Sequence, residues 1–516
     1  MYRPPAAATC GTDFHFAVSP HPLFCAERQP MPQAFSPGAS PDMNWKVRVF
    51  AACIFAAPLP AVADGWQSDM MPVDHIFMPD GPARGVAFVL SDAAGWGARE
   101  EAIAAKLKAD QIGVVGVDMP SYVKAINDQA AITQKQDPYD PVCSYLVSDV
   151  ESLSQQIQRA SGSTDYVTPV VSGTGLGGGL ALDMTDQTPD ATIGATVVAD
   201  PASAVPLSND LCTPAGYLTD SRGEIYALPR SQQVDPVSVL LSAGVEPDVR
   251  ARIEALKAAA PNVTLTENAA LSVTAMVRQI EARIDDSRAA MAALPVTILP
   301  TPAKHDVMAI ILSGDGGWRD LDQSVGQIMQ ADGIPVVGFD SLRYFWSKRT
   351  PDQTAKDLAT LIKHYHDAWG VNNVILVGYS FGADVLPATF ARLPEATKNR
   401  IKLISLLGLS TAADWEITVD GWLGSHGSQA TPTGPDVAQL PLAKVQCIYG
   451  ADEDDSGCPA VATLGGEALK VDGGHHFDGN YAAVEKQILK AFTDRTQQIA
   501  QTDTREPRPL GATAKP

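Results

Sequence analysis

Val374-Ile375-Leu376-Val377-Gly378-Tyr379-Ser380-Phe381-Gly382 is an apolar, partly β-branched run that ends in Gly-x-Ser-x-Gly. A helix-like stretch, 383–392, follows it. Strand, glycine-flanked serine and helix together predict a nucleophile elbow. The two glycines are required because the serine sits on a strained strand-to-helix turn with no room for neighbouring side chains. Such a turn lifts the Ser380 hydroxyl to the rim of a sheet. It also aims the amide of Phe381 at the place where an oxyanion would form. The chemistry implied is acyl transfer through a serine.

The same scaffold occurs earlier in the chain. Ala109-Asp110-Gln111-Ile112-Gly113-Val114-Val115-Gly116-Val117-Asp118 parallels Ala331-Asp332-Gly333-Ile334-Pro335-Val336-Val337-Gly338-Phe339-Asp340, with seven of ten positions identical at an offset of 222. At that offset Leu90-Ser91-Asp92-Ala93-Ala94-Gly95-Trp96 parallels Leu312-Ser313-Gly314-Asp315-Gly316-Gly317-Trp318. Each block follows a short apolar run. A βαβ unit used twice implies parallel sheet and the α/β class. The elbow has a counterpart in Val170-Val171-Ser172-Gly173-Thr174-Gly175-Leu176-Gly177, where Gly175 takes the nucleophile's place. No histidine lies between His75 and His305. A Ser–His relay is therefore excluded from the first copy on inventory alone. The expected architecture is two tandem α/β-hydrolase-like domains with parallel sheets, the first degenerate and the second catalytic.

Composition sets the bounds. The chain has 516 residues, an apolar fraction of 45% and a net charge of −21. That charge argues against a nucleic-acid partner, which would demand clustered Lys and Arg. It is compatible with a cationic substrate, and equally with mere solubility. Residues 1–42 are rich in Pro and Ala and have no helical or strand period, so they read as a non-native or disordered extension. Met43-Asn44-Trp45-Lys46-Val47-Arg48, the apolar 49–60 and Ala61-Val62-Ala63 have the form of a signal peptide over 43–63. Export to the periplasm is the expectation. Of the seven cysteines, Cys143, Cys212, Cys447 and Cys458 would survive removal of that leader. Bridges 143–212 and 447–458 would suit an oxidising compartment. The degenerate domain is expected over 64–300 and the catalytic one over 301–495. The Pro-rich stretch 294–302 looks like their junction, and 496–516 reads as a disordered tail.

In the second half the triad should run Ser, acid, His along the chain. The strand Val445-Gln446-Cys447-Ile448-Tyr449 is followed by Gly450-Ala451-Asp452-Glu453-Asp454-Asp455. Asp452 is the first choice for the acid because it lies nearest the strand end. Glu453, Asp454 and Asp455 are alternatives that read more naturally as solvated loop charges. Gly473-Gly474-His475-His476 offers a tight turn returning an imidazole to Ser380. His475 is preferred and His476 is the alternative. The second oxyanion donor should come from Gly314-Asp315-Gly316-Gly317, with Asp315 or Gly316 as donor. The aromatic loop Tyr344-Phe345-Trp346, with Trp318, would line a substrate groove; its other reading is packing beneath the helix that follows. His364 and His366 point to different faces of a probable helix, and His426 lies in a Gly/Ser-rich loop, so no metal motif and no cofactor are expected.

These strings resemble the VirJ/AcvB family of bacterial periplasmic proteins. The likeness rests on Leu-Ser-Gly-Asp-Gly-Gly-Trp at 312–318, Leu342-Arg343-Tyr344-Phe345-Trp346, the elbow continued by Ala383-Asp384, and Gly473-Gly474-His475-His476-Phe477. It covers nearly all of 305–495, and the tandem arrangement is similar to the longer, AcvB-like members. The resemblance implies hydrolysis of aminoacylated phosphatidylglycerol, chiefly the lysyl form, at the membrane surface without a cofactor. It places the nucleophile at Ser380. Family members also suggest a non-catalytic alternative, an adaptor for virulence factors or a secretion apparatus, with a protein partner bound through 64–300.

Overall fold

The computed structural model describes residues 65–136, 143–188, 192–212, 217–226, 235–289, 294–418, 427 and 429–503. Residues 1–42, the expected leader 43–63, His426 and residues 504–516 lie outside these. The described residues fall in one compact unit.

Two seven-stranded sheets organise that unit. The first half supplies β1 (His75–Phe77), β2 (Gly85–Leu90), β3 (Ile112–Val117), β4 (Val170–Thr174) and β5 (Ala195–Ala199). A separate hairpin, β6 (Tyr217–Asp220) and β7 (Gly223–Tyr226), precedes β8 (Val237–Leu240) and β9 (Val263–Thr266). The second half supplies β10 (Val296–Leu299), β11 (Val307–Leu312), β12 (Val336–Phe339), β13 (Asn373–Tyr379) and β14 (Ile401–Leu407). After the short ribbon β15 (Ala412–Ala413) and β16 (Thr431–Pro432) come β17 (Val445–Gly450) and β18 (Glu467–Val471). The spatial orders are β1-β3-β2-β4-β5-β8-β9 and β10-β12-β11-β13-β14-β17-β18. In each sheet only the first pairing is antiparallel.

The register of the two sheets matches residue for residue. Leu90 pairs with Val117 and Gly173; Leu312 pairs with Phe339 and Gly378. The offset of 222 therefore survives folding across β2 and β3, and it falls to 205 at the elbow strand. The longer connection before β4 absorbs the difference. Thr174 pairs with Ala199 as Tyr379 pairs with Leu407. Both halves thus have the α/β-hydrolase arrangement, with the elbow at the end of the central strand.

The strands read as unbroken apolar runs because helices cover both faces of each sheet. Along β11, Met308, Ile310 and Leu312 enter one core while Val307, Ala309 and Ile311 enter the other. Helix Pro351–Trp369 shows why its ends lie where they do. Thr350 accepts the amide of Gln353 at 3.2 Å, Pro351 opens the first turn, and Gly370 closes the helix at φ 67°. Truncating Ile310 to Ala would cost about 2–5 kcal/mol.

Two expectations change here. The Pro-flanked stretch 294–302 is not a bare junction, because Val296–Leu299 is the antiparallel edge strand of the second sheet. Its counterpart, β1, sits identically: His75 pairs with Gly116, and Thr297 with Gly338. Nor does the expected tail 496–516 begin without structure, since helix Tyr481–Asp503 runs into it. Both expected disulfides are present, Cys143–Cys212 and Cys447–Cys458, with Cα–Cα distances of 4.8 and 5.4 Å.

Candidate active site

Ser380 follows β13 with φ 51° and ψ −120°, a strained backbone for a residue with a side chain. Its neighbours must be glycines. A Cβ on Gly382 would stand 2.7 Å from the Leu312 carbonyl carbon and from Ser313 O. The hydroxyl of Ser380 makes no hydrogen bond among the described residues, so it is free to turn toward an incoming group. Apo catalytic contacts are often open in this way and tighten on substrate.

The loop after β18 brings an imidazole to the same rim, against the loop after β14. Ser380 N donates to Leu407 O at 2.8 Å, and the next residue, Gly408, lies against the His475 ring. A Cβ on Gly408 would be 2.7 Å from Cε1 of His475 and 3.0 Å from Nδ1. Gly408 is therefore glycine because the imidazole needs the space.

The carboxylate beside His475 is that of Glu453 and not that of Asp452. Oε1 of Glu453 lies 3.5 Å from Nδ1 of His475, and its side chain is 8% exposed. The same oxygen accepts the Gly450 amide at 3.0 Å. Asp452 is exposed; its amide binds Gly473 O at 3.1 Å and its carboxylate faces solvent. The reason is geometric. The chain turns as it leaves β17, and the residue three positions past Gly450, rather than two, points back across the sheet. Asp454 and Asp455 are exposed, as their reading as loop charges requires.

Electrostatics separates the two histidines. The Glu453 hydrogen bond raises the His475 pKa above its ordinary 6.5, against the opposing effect of burial. Burial, with the neighbouring His475, lowers that of His476. His476 Nδ1 meets Tyr379 OH at 3.1 Å. Tyr379, which sequence reading left without a role, anchors the histidine loop, its ring 5.4 Å from that of His475.

The earlier copy shows what the oxyanion donors can do. In the repeat Ala93 corresponds to Asp315 and Leu176 to Phe381. The amides of Ala93 and Leu176 converge on one oxygen, Oδ1 of Asp92, at 2.7 and 2.9 Å. This internal carboxylate fills the first half's oxyanion hole. It also crowds the nucleophile position, since a Cβ on Gly175 would collide with it. Gly175 keeps the elbow's positive φ of 52°. Asp200, which pairs with the second half's Gly408 in the repeat, takes the place where an imidazole would pack and binds Ser242 N at 2.8 Å. In the second half Gly314 replaces Asp92, so that position has no side chain to reach the Asp315 and Phe381 amides.

Carboxylates surround the second site. Burial raises the Asp315 pKa, with Arg319, its own amide and His475 pulling it down. Asp384 is pushed well up by burial and accepts the Ser410 amide at 2.7 Å; Asp315, Asp414 and Asp455 raise it further.

The expected aromatic groove is not a groove. Trp318, Tyr344, Phe345 and Trp346 are all 2% exposed or less. Trp318 covers Gly338 on β12. Trp346 donates its indole N–H to Ser163 O at 3.0 Å and lies 3.7 Å beneath the Arg159 guanidinium. The segment is the seam with the first half, which packing alone explains.

Residues 306–496 match the family described as bacterial virulence protein (VirJ). The second half is a VirJ-family domain. No curated protein matches the chain. Among solved structures, Est1E from Butyrivibrio proteoclasticus with ferulic acid bound is 12% identical, over 39% of this chain and 95% of that one, at a TM-score of 0.29. YbtT, a type II thioesterase from the yersiniabactin biosynthetic pathway, is 17% identical over 39% and 99%, at 0.30. A lipase-esterase related protein from Clostridium acetobutylicum is 13% identical over 38% and 99%, at 0.28. In the VirJ-type half Ser380, Glu453 and His475 follow one another in the chain order serine, acid, histidine. Among the described residues no cluster could hold a metal ion, and no helix is long and apolar enough to cross a membrane.

Proposed function

We propose that the protein is an exported serine hydrolase that cleaves the aminoacyl ester of aminoacylated phosphatidylglycerol, above all the lysyl form. The observation that carries the hydrolase reading is the strained Ser380 elbow beside a His475 ring already paired with Glu453. Ser380 Oγ attacks the ester carbonyl while His475 Nε2 takes its proton; Nδ1 is held by Glu453. The developing oxyanion receives the amides of Phe381 and Asp315. His475 then returns the proton to the departing glycerol hydroxyl of the lipid. Water, deprotonated by the same ring, releases the amino acid from Ser380.

The aminoacyl preference is supported by the acidic surroundings of the site, where Asp315, Asp414 and Asp455 lie close enough to Asp384 to raise its pKa. A lysyl group brings two ammonium charges to that surface, and an ordinary fatty acyl ester brings none. Two disulfides support export.

The test is release of free lysine from vesicles containing lysyl-phosphatidylglycerol by the purified full chain. Ser380→Ala should lower it about a thousandfold or more. Turnover of neutral soluble esters with no turnover of the lipid would remove the substrate assignment and leave the hydrolase. Equal release by the alanine variant would remove both.

A further inference from the structure

The first half reaches the loop beside the candidate site. Helix Val147–Ala160 of the first half carries Glu151 and, two turns on, Arg159. Glu151 is 7% exposed and forms an ion pair with Arg319 of the second half. Arg319 ends the loop 314–318, whose amides include the expected oxyanion donor. Its guanidinium lies flat under that loop: a Cβ on Gly316 would stand 2.7 Å from Nε and 2.9 Å from Cζ. Glu151, Tyr166 and Thr192 face Gly316, Gly317 and Trp318 across a shared crevice.

We infer that Glu151 is a positioning residue for catalysis: through Arg319 it holds the oxyanion loop of the second half in its working shape. The degenerate half is then a clamp on the active one, which gives a physical role to a copy whose own oxyanion hole is filled. The inference rests on the hydrolase reading above. Gly314, Gly316 and Gly317 have no side chains to fix their own amides, and glycine leaves the loop the most freedom to lose. An oxyanion donor acts only when it is already in place as charge develops. A partly buried guanidinium pinned by a buried carboxylate supplies that order. Burial disfavours the charge on Arg319, and Glu151 more than offsets this, so the guanidinium stays protonated. Burial also raises the Glu151 pKa, and Arg319 holds it down.

A merely structural ion pair would change stability alone, so the experiment reads two other quantities. Steady-state hydrolysis of a small neutral ester, p-nitrophenyl acetate, is compared for wild type, Glu151→Gln, Glu151→Asp and Glu416→Gln in the full chain. Glu416 lies at the same seam, 3.6 Å from Arg159, and away from the oxyanion loop. Hydrogen exchange of the amides at 314–318 is measured on the same proteins. Glu151→Gln should lower kcat about tenfold or more with KM within about twofold, and should speed exchange at 314–318. Glu151→Asp should recover part of kcat, and Glu416→Gln should stay within about twofold of wild type. An unchanged kcat in Glu151→Gln overturns the inference. So does a loss matched by Glu416→Gln and by a general fall in melting temperature. If the wild type hydrolyses no ester at all, the hydrolase reading fails by itself. Exchange rates still judge the clamp in that case, and unchanged rates at 314–318 overturn it.

Discussion

Oε1 of Glu453 stands 3.5 Å from Nδ1 of His475, and the same oxygen accepts the amide of Gly450 at the end of β17. The carboxylate is thus held by the strand end and holds the ring in turn. Glu453→Gln should lower kcat/KM about a hundredfold or more, because the ring loses the charge that stabilises its imidazolium. Asp452→Asn should stay within about threefold. Equal losses in the two variants would reject the assignment of the acid.

The same pair dictates a pH response. A general base must be neutral, and Glu453 favours the charged ring, so the acid limb of kcat/KM should lie above the ordinary imidazole value of 6.5. Activity should rise as pH passes upward through that limb. In Glu453→Gln the limb should move to lower pH. A shift in the other direction, read from pH–rate profiles, would contradict the pairing.

The first half should resist revival. Gly175→Ser in a Ser380→Ala background should stay at the level of Ser380→Ala in ester assays. Asp92 fills the hole, Asp200 takes the imidazole's place, and the new Cβ would strike the Asp92 carboxylate. The double variant should also melt below Ser380→Ala. Recovered turnover would show that the plug is not a block.

Cys447 lies on β17 and Cys458 opens helix Cys458–Thr463, so their bridge ties down the loop that carries Glu453. Replacing both with Ala should cost about 2–3 kcal/mol and lower kcat. Replacing Cys143 and Cys212 should cost stability and leave kcat alone. Thermal melts with parallel kinetics separate the two cases.

Glu485, on helix Tyr481–Asp503, is 4% exposed, and its Oε1 has no hydrogen-bond partner among the described residues. Burial, with Asp332, raises its pKa from 4.5 to about 7. The folded state therefore binds this proton more tightly than the unfolded one. Stability is lost as pH rises from the unfolded value through the folded one. Glu485→Gln should raise stability at pH 8 by about 1–3 kcal/mol and flatten its slope between the two values. Denaturant titrations across that range are the measurement.

Local signals made the elbow, the repeat, both disulfides and the two-histidine turn legible from the chain alone. Each is written in neighbouring residues or in a constant offset: glycines where only glycine fits, apolar runs of strand length, cysteines left over after a leader. Those signals determined that two α/β sheets form, that Ser380 stands on a glycine-flanked strand-to-helix turn and that the first copy has no serine at that turn and no histidine between His75 and His305. Folding decided what depends on direction and distance. Four consecutive residues, Asp452 to Asp455, have the same charge, and only the path of the chain beyond β17 turns Glu453 inward. Trp346 is covered by Arg159 and Ser163, more than 180 positions earlier, so its burial has no local sign. The Glu151–Arg319 pair spans 168 positions and the Asp92 plug joins Leu176 across 84. A side chain's type is written in its codon, but its partner is set by where two strands of identical register place their loops.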